Sequence, residues 1–153
     1  MKVRFIWTGK TKDARLRALI EEYLKRLARF TRCEVSELRE SRAGKDGAGI
    51  ETDGKRISDG LPSGALTILL DESGHEWSSA ELARELQRWE VSGAKEVAIV
   101  VGGPNGVSDT VAAKAKIRWC LTRLTLTHEM ARVIAIEQIY RAYTIVNGLP
   151  YQK

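Results

Sequence analysis

The sequence predicts an α/β fold, a mostly parallel sheet with helices on both faces. Three observations carry this expectation. Strand-like and helix-like segments alternate along the whole chain. Two of the strand-like segments, Ala65-Leu66-Thr67-Ile68-Leu69-Leu70 and Val97-Ala98-Ile99-Val100-Val101, are nearly unbroken apolar runs, as strands covered on both faces require. The composition is that of a globular protein: 153 residues, 43% hydrophobic and 29% charged. That length and balance predict a single domain over 1–153 and set aside disordered, collagen-like and coiled-coil classes.

The elements follow in order. Lys2–Thr8 alternates charged and apolar residues and stops at Gly9, the pattern of a first strand. Leu16, Leu19, Ile20, Tyr23, Leu24 and Leu27 recur at three and four residues, which places them on one face of a helix. Asp13 near its start and Lys25, Arg26 and Arg29 near its end suit the helix dipole. Cys33–Leu38 reads as a short second strand. The glycines and charges of 42–49 predict a mobile loop, and a weak helix follows over 50–59, against which Gly54 argues. The strand over 65–70 ends at Asp71-Glu72-Ser73-Gly74. Ser78 and Glu81 have capping-box spacing ahead of a helix marked by Leu82, Leu86 and Trp89 and closed by Gly93. The strand over 97–101 runs into Gly102-Gly103-Pro104-Asn105-Gly106, and Ser108 can cap a helix over 109–119. A last strand is expected over 121–127 and a last helix over 128–146.

The same composition narrows the chemistry. Cys33 and Cys120 are far apart, and His75 and His128 are the two histidines. A zinc site needs about four N or S ligands at short spacing, so no metal is expected and the thiols read as reduced. No apolar run approaches the roughly 20 residues of a membrane span. The first residues are too charged for a signal peptide, so the expected location is the cytoplasm. A net charge of +5 permits a nucleic-acid partner without demanding one.

Ligands of parallel sheets bind beyond the carboxyl ends of the strands, which here points to the segments after Leu70, Val101 and Leu126. The glycine turn at 102–106 lets backbone approach a ligand, although it equally fits a structural tight turn and has neither a dinucleotide nor a P-loop pattern. The last helix is apolar around nearly its whole circumference, yet it carries Arg132, Glu137 and Arg141. Glu137 and Arg141, four apart, form either a buried ion pair or part of a charged site facing a ligand. His128, at a helix start, is held neutral there and is either a proton acceptor or a structural hydrogen-bonding group.

Val97 to Gly106, then Leu124-Thr125-Leu126-Thr127-His128, Arg132-Val133, Glu137-Gln138-Ile139-Tyr140-Arg141-Ala142 and Pro150-Tyr151 together resemble the RlmH family. These are large-subunit ribosomal RNA pseudouridine N3-methyltransferases of the SPOUT class. The resemblance runs the length of the chain, and the glycine block ending at Gly106, the Leu124–His128 block and the Glu137–Ala142 block in this order are specific together. It implies a C-terminal trefoil knot, a homodimer, S-adenosylmethionine as cofactor, and methylation of a pseudouridine in helix 69 of 23S ribosomal RNA on the assembled ribosome. Carried over by position, it implies cofactor contacts at Leu70, Gly102, Leu121, Thr122, Arg123, Leu124, Thr125 and Leu126. Two departures stand out: Thr127 occupies a position that is usually Pro in the family, and Gln152 one that is usually His. Glutamine cannot act as a base near neutral pH.

For such a reaction the imide N3 must lose a proton, and positive charge near the uracil carbonyls would stabilise the anion. Arg132 and Arg141 are the candidates for that charge, His128 for proton acceptance or ring positioning, and Tyr140 for an orienting hydroxyl or plain core. Positioning alone is the competing mechanism. The alternatives to this function are a SPOUT methyltransferase for another RNA nucleotide, and a ribosome-binding module without catalysis. Lys114, Lys116, Arg118 and Arg123 are candidate RNA contacts or solvated helix charges.

Overall fold

The computed structural model describes residues 1–42 and 47–151, so half of the expected mobile loop, 43–46, and all of Gln152 lie outside the described residues. The strands are β1 (Lys2–Thr8), β2 (Cys33–Leu38), β3 (Leu66–Glu76), β4 (Glu96–Val100) and β5 (Ile117–Cys120). The helices are α1 (Ala14–Leu27), α2 (Gly47–Gly60), α3 (Ser79–Val91), α4 (Asp109–Lys114) and α5 (His128–Val146). All strand pairs are parallel, in the order β2-β1-β4-β3-β5.

Side chains alternate across each strand and so build two cores. Val3, Phe5, Trp7, Ile68, Val97 and Ile99 point to one face, where residues of α1, α3 and α5 cover them. Ile6, Leu69, Ala98 and Val100 point to the other, where Ile57 of α2 and Val111 of α4 meet them. Because both faces are covered, β3 and β4 carry apolar residues at successive positions, which is why their runs were readable.

The expected helix starts at 78 and 128 are present. Ser78 Oγ accepts from the Glu81 N–H while Glu81 accepts from the Ser78 N–H, a complete capping box. Thr127 Oγ1 accepts from the Met130 N–H at 3.2 Å.

Four boundaries differ from expectation. The last strand is Ile117–Cys120 and not 121–127, and α4 stops at Lys114 and not 119. The Lys116 N–H donates to Thr67 O at 2.9 Å, which draws the chain out of the helix and into the sheet beside β3. Segment 121–127 alternates like a strand, but it runs past the end of that pairing and forms neither strand nor helix. β3 continues to Glu76 through a register shift between Leu70 and His75. Gly74 makes this possible, since a Cβ there would lie 2.5 Å from the Arg118 carbonyl carbon. α2 is longer than expected and keeps Gly54 in its middle, where a Cβ would overlap the Ser108 hydroxyl. Close packing of α2 on the start of α4 selects glycine there over a better helix former.

Candidate active site

A cavity of about 640 Å³ opens beside the register shift of β3 and the ends of β4 and β5. Its walls are built from three chain segments. The irregular stretch of β3 supplies Asp71 and Glu72; after β4 comes the turn from Val101 to Val107; after β5 comes 121–126. The β4 turn is tight: the Gly106 N–H donates to Gly103 O at 3.0 Å, and Gly106 adopts φ +80°, where a side chain is strained. Segment 121–126 is held locally, with the Cys120 thiol donating to Thr122 O and the Leu124 N–H to Thr122 Oγ1, each at 3.1 Å. All eight residues expected at the cofactor, Leu70, Gly102 and 121–126, line this one cavity.

The cavity wall is mixed in character. Leu69, Leu70, Val101, Leu121 and Leu126 supply apolar surface, and Asp71, Glu72 and Asp109 supply carboxylates. The backbone and hydroxyl of Ser73 donate to Asp71, and Arg118 pairs with it at 2.9 Å. These contacts hold the Asp71 carboxyl below the usual range, so it is anionic near neutral pH.

His128 and Ala131, in the first turn of α5, close one side. Burial lowers the His128 pKa below its ordinary 6.5, and the positive charges of Arg132 and Lys12 lower it further against the pull of Glu129 and Glu40. The imidazole is therefore neutral near pH 7. Arg132 lies one turn further along and does not line the cavity. It is 1% exposed, donates to Thr8 O at 2.8 Å and Thr11 Oγ1 at 3.0 Å, and lies over the Trp7 ring at 4.8 Å. No carboxylate of the described residues lies within ion-pair distance of it, and burial depresses its pKa.

Tyr140 and Arg141 stand near the other end of α5. Thirteen residues separate His128 from Arg141, about 20 Å along a helix that rises 1.5 Å per residue. Arg141 donates to Glu137 from Nε at 3.0 Å and from its terminal nitrogen at 2.7 Å, and its guanidinium lies 4.7 Å from the Tyr151 ring. Tyr140 packs edge-on to Tyr151 and beside Tyr23 and Phe30. The chain thus divides the expected residues into a cavity group with His128, an enclosed Arg132, and an aromatic cluster around Tyr140 and Arg141. Of the candidate RNA contacts, Arg123 is 86% exposed at its side chain, while Arg118 is tied to Asp71 and the Lys114 ammonium reaches Ser58 O at 3.5 Å.

A family model described as "Predicted SPOUT methyltransferase" matches residues 1–152. The chain belongs to the SPOUT methyltransferase family. Among curated relatives, "Ribosomal RNA large subunit methyltransferase H" of Geotalea daltonii is 40% identical over 151 residues, covering 99% of each chain. The protein of the same name from Desulfotalea psychrophila is 38% identical and covers both chains completely. Two solved structures share the fold at low identity. A tRNA methyltransferase from Aquifex aeolicus has TM-score 0.57 at 14% identity, covering 100% of this chain and 74% of its own. TrmJ from Z. mobilis has TM-score 0.59 at 9% identity, covering 94% and 70%.

In this SPOUT chain, sequence reasoning passed over several residues that shape the site. Asp71, Glu72 and Asp109 line the cavity. Asp71 was within reach of the strand-end rule, because it directly follows the apolar run that ends at Leu70. Thr8 and Thr11, the partners of Arg132, carry no sequence signal, since 121 residues separate Thr11 from Arg132. Among the described residues no helix is long and apolar enough to cross a membrane, and no three His, Cys, Asp or Glu side chains are grouped to hold a metal ion.

Proposed function

We propose that this SPOUT methyltransferase uses S-adenosylmethionine to methylate N3 of a pseudouridine in helix 69 of 23S ribosomal RNA, on the assembled ribosome, as a cytoplasmic homodimer with a knotted C-terminal half. The name of its full-length relatives supports a large-subunit RNA substrate. The observation that carries the cofactor assignment is the convergence of Leu70, Gly102 and 121–126 on one cavity.

The cavity suits this cofactor. Its volume is within the roughly 300–1,000 Å³ of small-ligand sites. The leucines and Val101 offer apolar surface to a purine, and the carboxylates of Asp71, Glu72 and Asp109 suit a cation. The backbone of 121–126, outside helix and sheet, offers amide and carbonyl groups to a flat heterocycle. When bound, S-adenosylmethionine supplies an electrophilic methyl group on a sulfonium.

The chain's residues then have three tasks. Gly102 and 121–126 hold the cofactor. Neutral His128, on the cavity rim, accepts the imide proton or holds the ring. Positive charge stabilises the imide anion as it forms. Arg141 has its guanidinium only partly covered, whereas Arg132 is enclosed and acts through its field and its hold on the α5 start. The distance from His128 to Arg141 within one protomer supports a composite site, in which the Tyr140–Arg141 end and tail of one protomer serve the cavity of its partner.

The test is methyl transfer to ribosomes from a strain lacking this modification, with mass mapping of the product. One methyl at N3 of the helix 69 pseudouridine is expected. A methyl on a different nucleotide would overturn the substrate assignment. Calorimetry showing no S-adenosylmethionine binding would overturn the cofactor assignment.

A further inference from the structure

We propose that the loop from Gly9 to Lys12 is a phosphate-binding wall beside His128, with Lys10 and Lys12 as its contacts to the RNA backbone. This rests on RNA being the substrate, as proposed above. The loop leaves the carboxyl end of β1, next to the start of α5. It is fastened along its length. The Gly9 N–H donates to Leu38 O at 2.8 Å. Arg132 grips Thr8 O and Thr11 Oγ1 from inside, Arg17 donates to Thr11 O at 3.2 Å, and Glu129 accepts from the Asp13 N–H at 3.0 Å. Thr11 is wholly buried.

Because Thr11 points inward, Lys10 and Lys12 on either side point outward, and both are exposed. Neither makes an ion pair with any of the described residues. The two lysines are exposed, yet they stand on backbone held by hydrogen bonds. A fixed backbone with free ammonium groups lowers the ordering cost of binding to the side chains alone.

The place of the loop selects its ligand. The Asp13 N–H is bonded to Glu129, the neighbour of His128, and Arg132 holds Thr8 and Thr11, so the loop is packed against the first turns of α5, whose His128 lines the cavity that the target base must enter. A base delivered to that cavity brings its own and neighbouring phosphates with it. Two residues of extended chain reach at most about 7 Å, comparable to the step between successive phosphates of one strand. Lysine ammonium groups contact phosphates as point charges without reading sequence, so this wall positions and does not specify.

The experiment compares the full-length protein with a Lys10→Gln/Lys12→Gln double variant in ribosome binding over a salt series, and in steady-state methyl transfer. Each phosphate contact contributes about 0.7–0.9 to the slope of log affinity against log salt. The double variant is expected to have a slope shallower by about 1.4–1.8, with the loss of activity falling on KM more than on kcat. Its S-adenosylmethionine affinity and melting temperature should match the parent. Lys10→Arg/Lys12→Arg should keep the parental slope. A double variant with parental slope and KM overturns the role of the loop alone. Absence of ribosome binding by the parent overturns the substrate reading and the loop's role with it.

Discussion

Tyr151 donates its phenolic hydrogen to Glu137 Oε1 at 3.0 Å and so fastens the end of the described chain to the helix that precedes it. The same carboxylate accepts from Arg141 and from Gln138 Nε2, and the Tyr23 hydroxyl lies 3.2 Å from that of Tyr151. Burial, with these hydrogen bonds, pushes the Tyr151 hydroxyl well above its ordinary pKa, so it remains a donor throughout the working pH range. The tail therefore leaves α5 in a set direction.

Tyr151→Phe should loosen that tail. A hydrogen bond to a charged partner contributes about 1.5–3 kcal/mol, and at this half-buried position about 1 kcal/mol is expected. For a domain of this size that corresponds to a melting-temperature loss of roughly 2–4 °C. Carboxypeptidase should release the terminal residues faster from the variant. Equal release rates would show that the ring contacts with Tyr140 and Arg141 hold the tail without the hydroxyl.

Gly102→Val should abolish cofactor binding while the protein still folds. A Cβ at Gly102 would lie 3.2 Å from Val107 Cγ1 and 3.4 Å from the Gly106 carbonyl carbon, tight contacts within the turn that forms the cavity wall. A branched side chain must displace that turn. We expect at least a tenfold loss of S-adenosylmethionine affinity by calorimetry, with an unchanged far-UV spectrum. Parental affinity in the folded variant would remove Gly102 from the site.

His128 links pH to both stability and turnover. Its folded-state pKa is below the ordinary 6.5, so the unfolded chain takes up a proton first as pH falls. The stability it contributes is complete above about 6.5 and is lost as pH drops from there through the folded pKa. His128→Gln should flatten that part of the stability curve. If the imidazole also accepts the imide proton, the variant should lose the acidic limb of the single-turnover rate profile. A limb that persists would leave His128 to positioning.

The parts of this fold that were legible in the sequence are those where local chemistry and tertiary packing agree. Ser78 with Glu81 and Thr127 with Met130 are caps whose signals sit within a few residues. The apolar runs of β3 and β4 report burial on two faces. The misread elements are those decided at a distance. Lys116 joins the sheet because Thr67 offers a carbonyl, and Gly54 stays helical because Ser108 packs against it. At the site, the strand-end rule found the cavity, and the family resemblance named its lining. The enclosure of Arg132 was invisible, because an arginine in an apolar helix looks the same whether it faces a ligand or Thr8 and Thr11.

That enclosure sharpens the comparison among Arg132, Arg141 and Gln152. The imide anion needs positive charge nearby, and removing an electrostatic stabiliser of this kind typically costs about 10²–10³ in rate. Arg141→Met should therefore slow single-turnover methylation on ribosomes by that factor. Gln152→Ala, which removes no charge, should cost far less. Arg132→Met carries a second cost, since the buried Thr8 carbonyl and Thr11 hydroxyl lose their donor, roughly 1–3 kcal/mol for each group left unpaired. Arg132→Lys keeps a charge but cannot reach both partners as a planar fork does, so it separates the field from the geometry. Rates must be corrected for folded protein, because the competing view has Arg141 serving Glu137 alone. On that view Arg141→Met lowers the melting temperature while the folded fraction methylates normally. Near-normal corrected rates for Arg141→Met and for both Arg132 variants would remove the electrostatic assignment and leave alignment of the reactants, which can supply about 7–11 kcal/mol, as the source of catalysis.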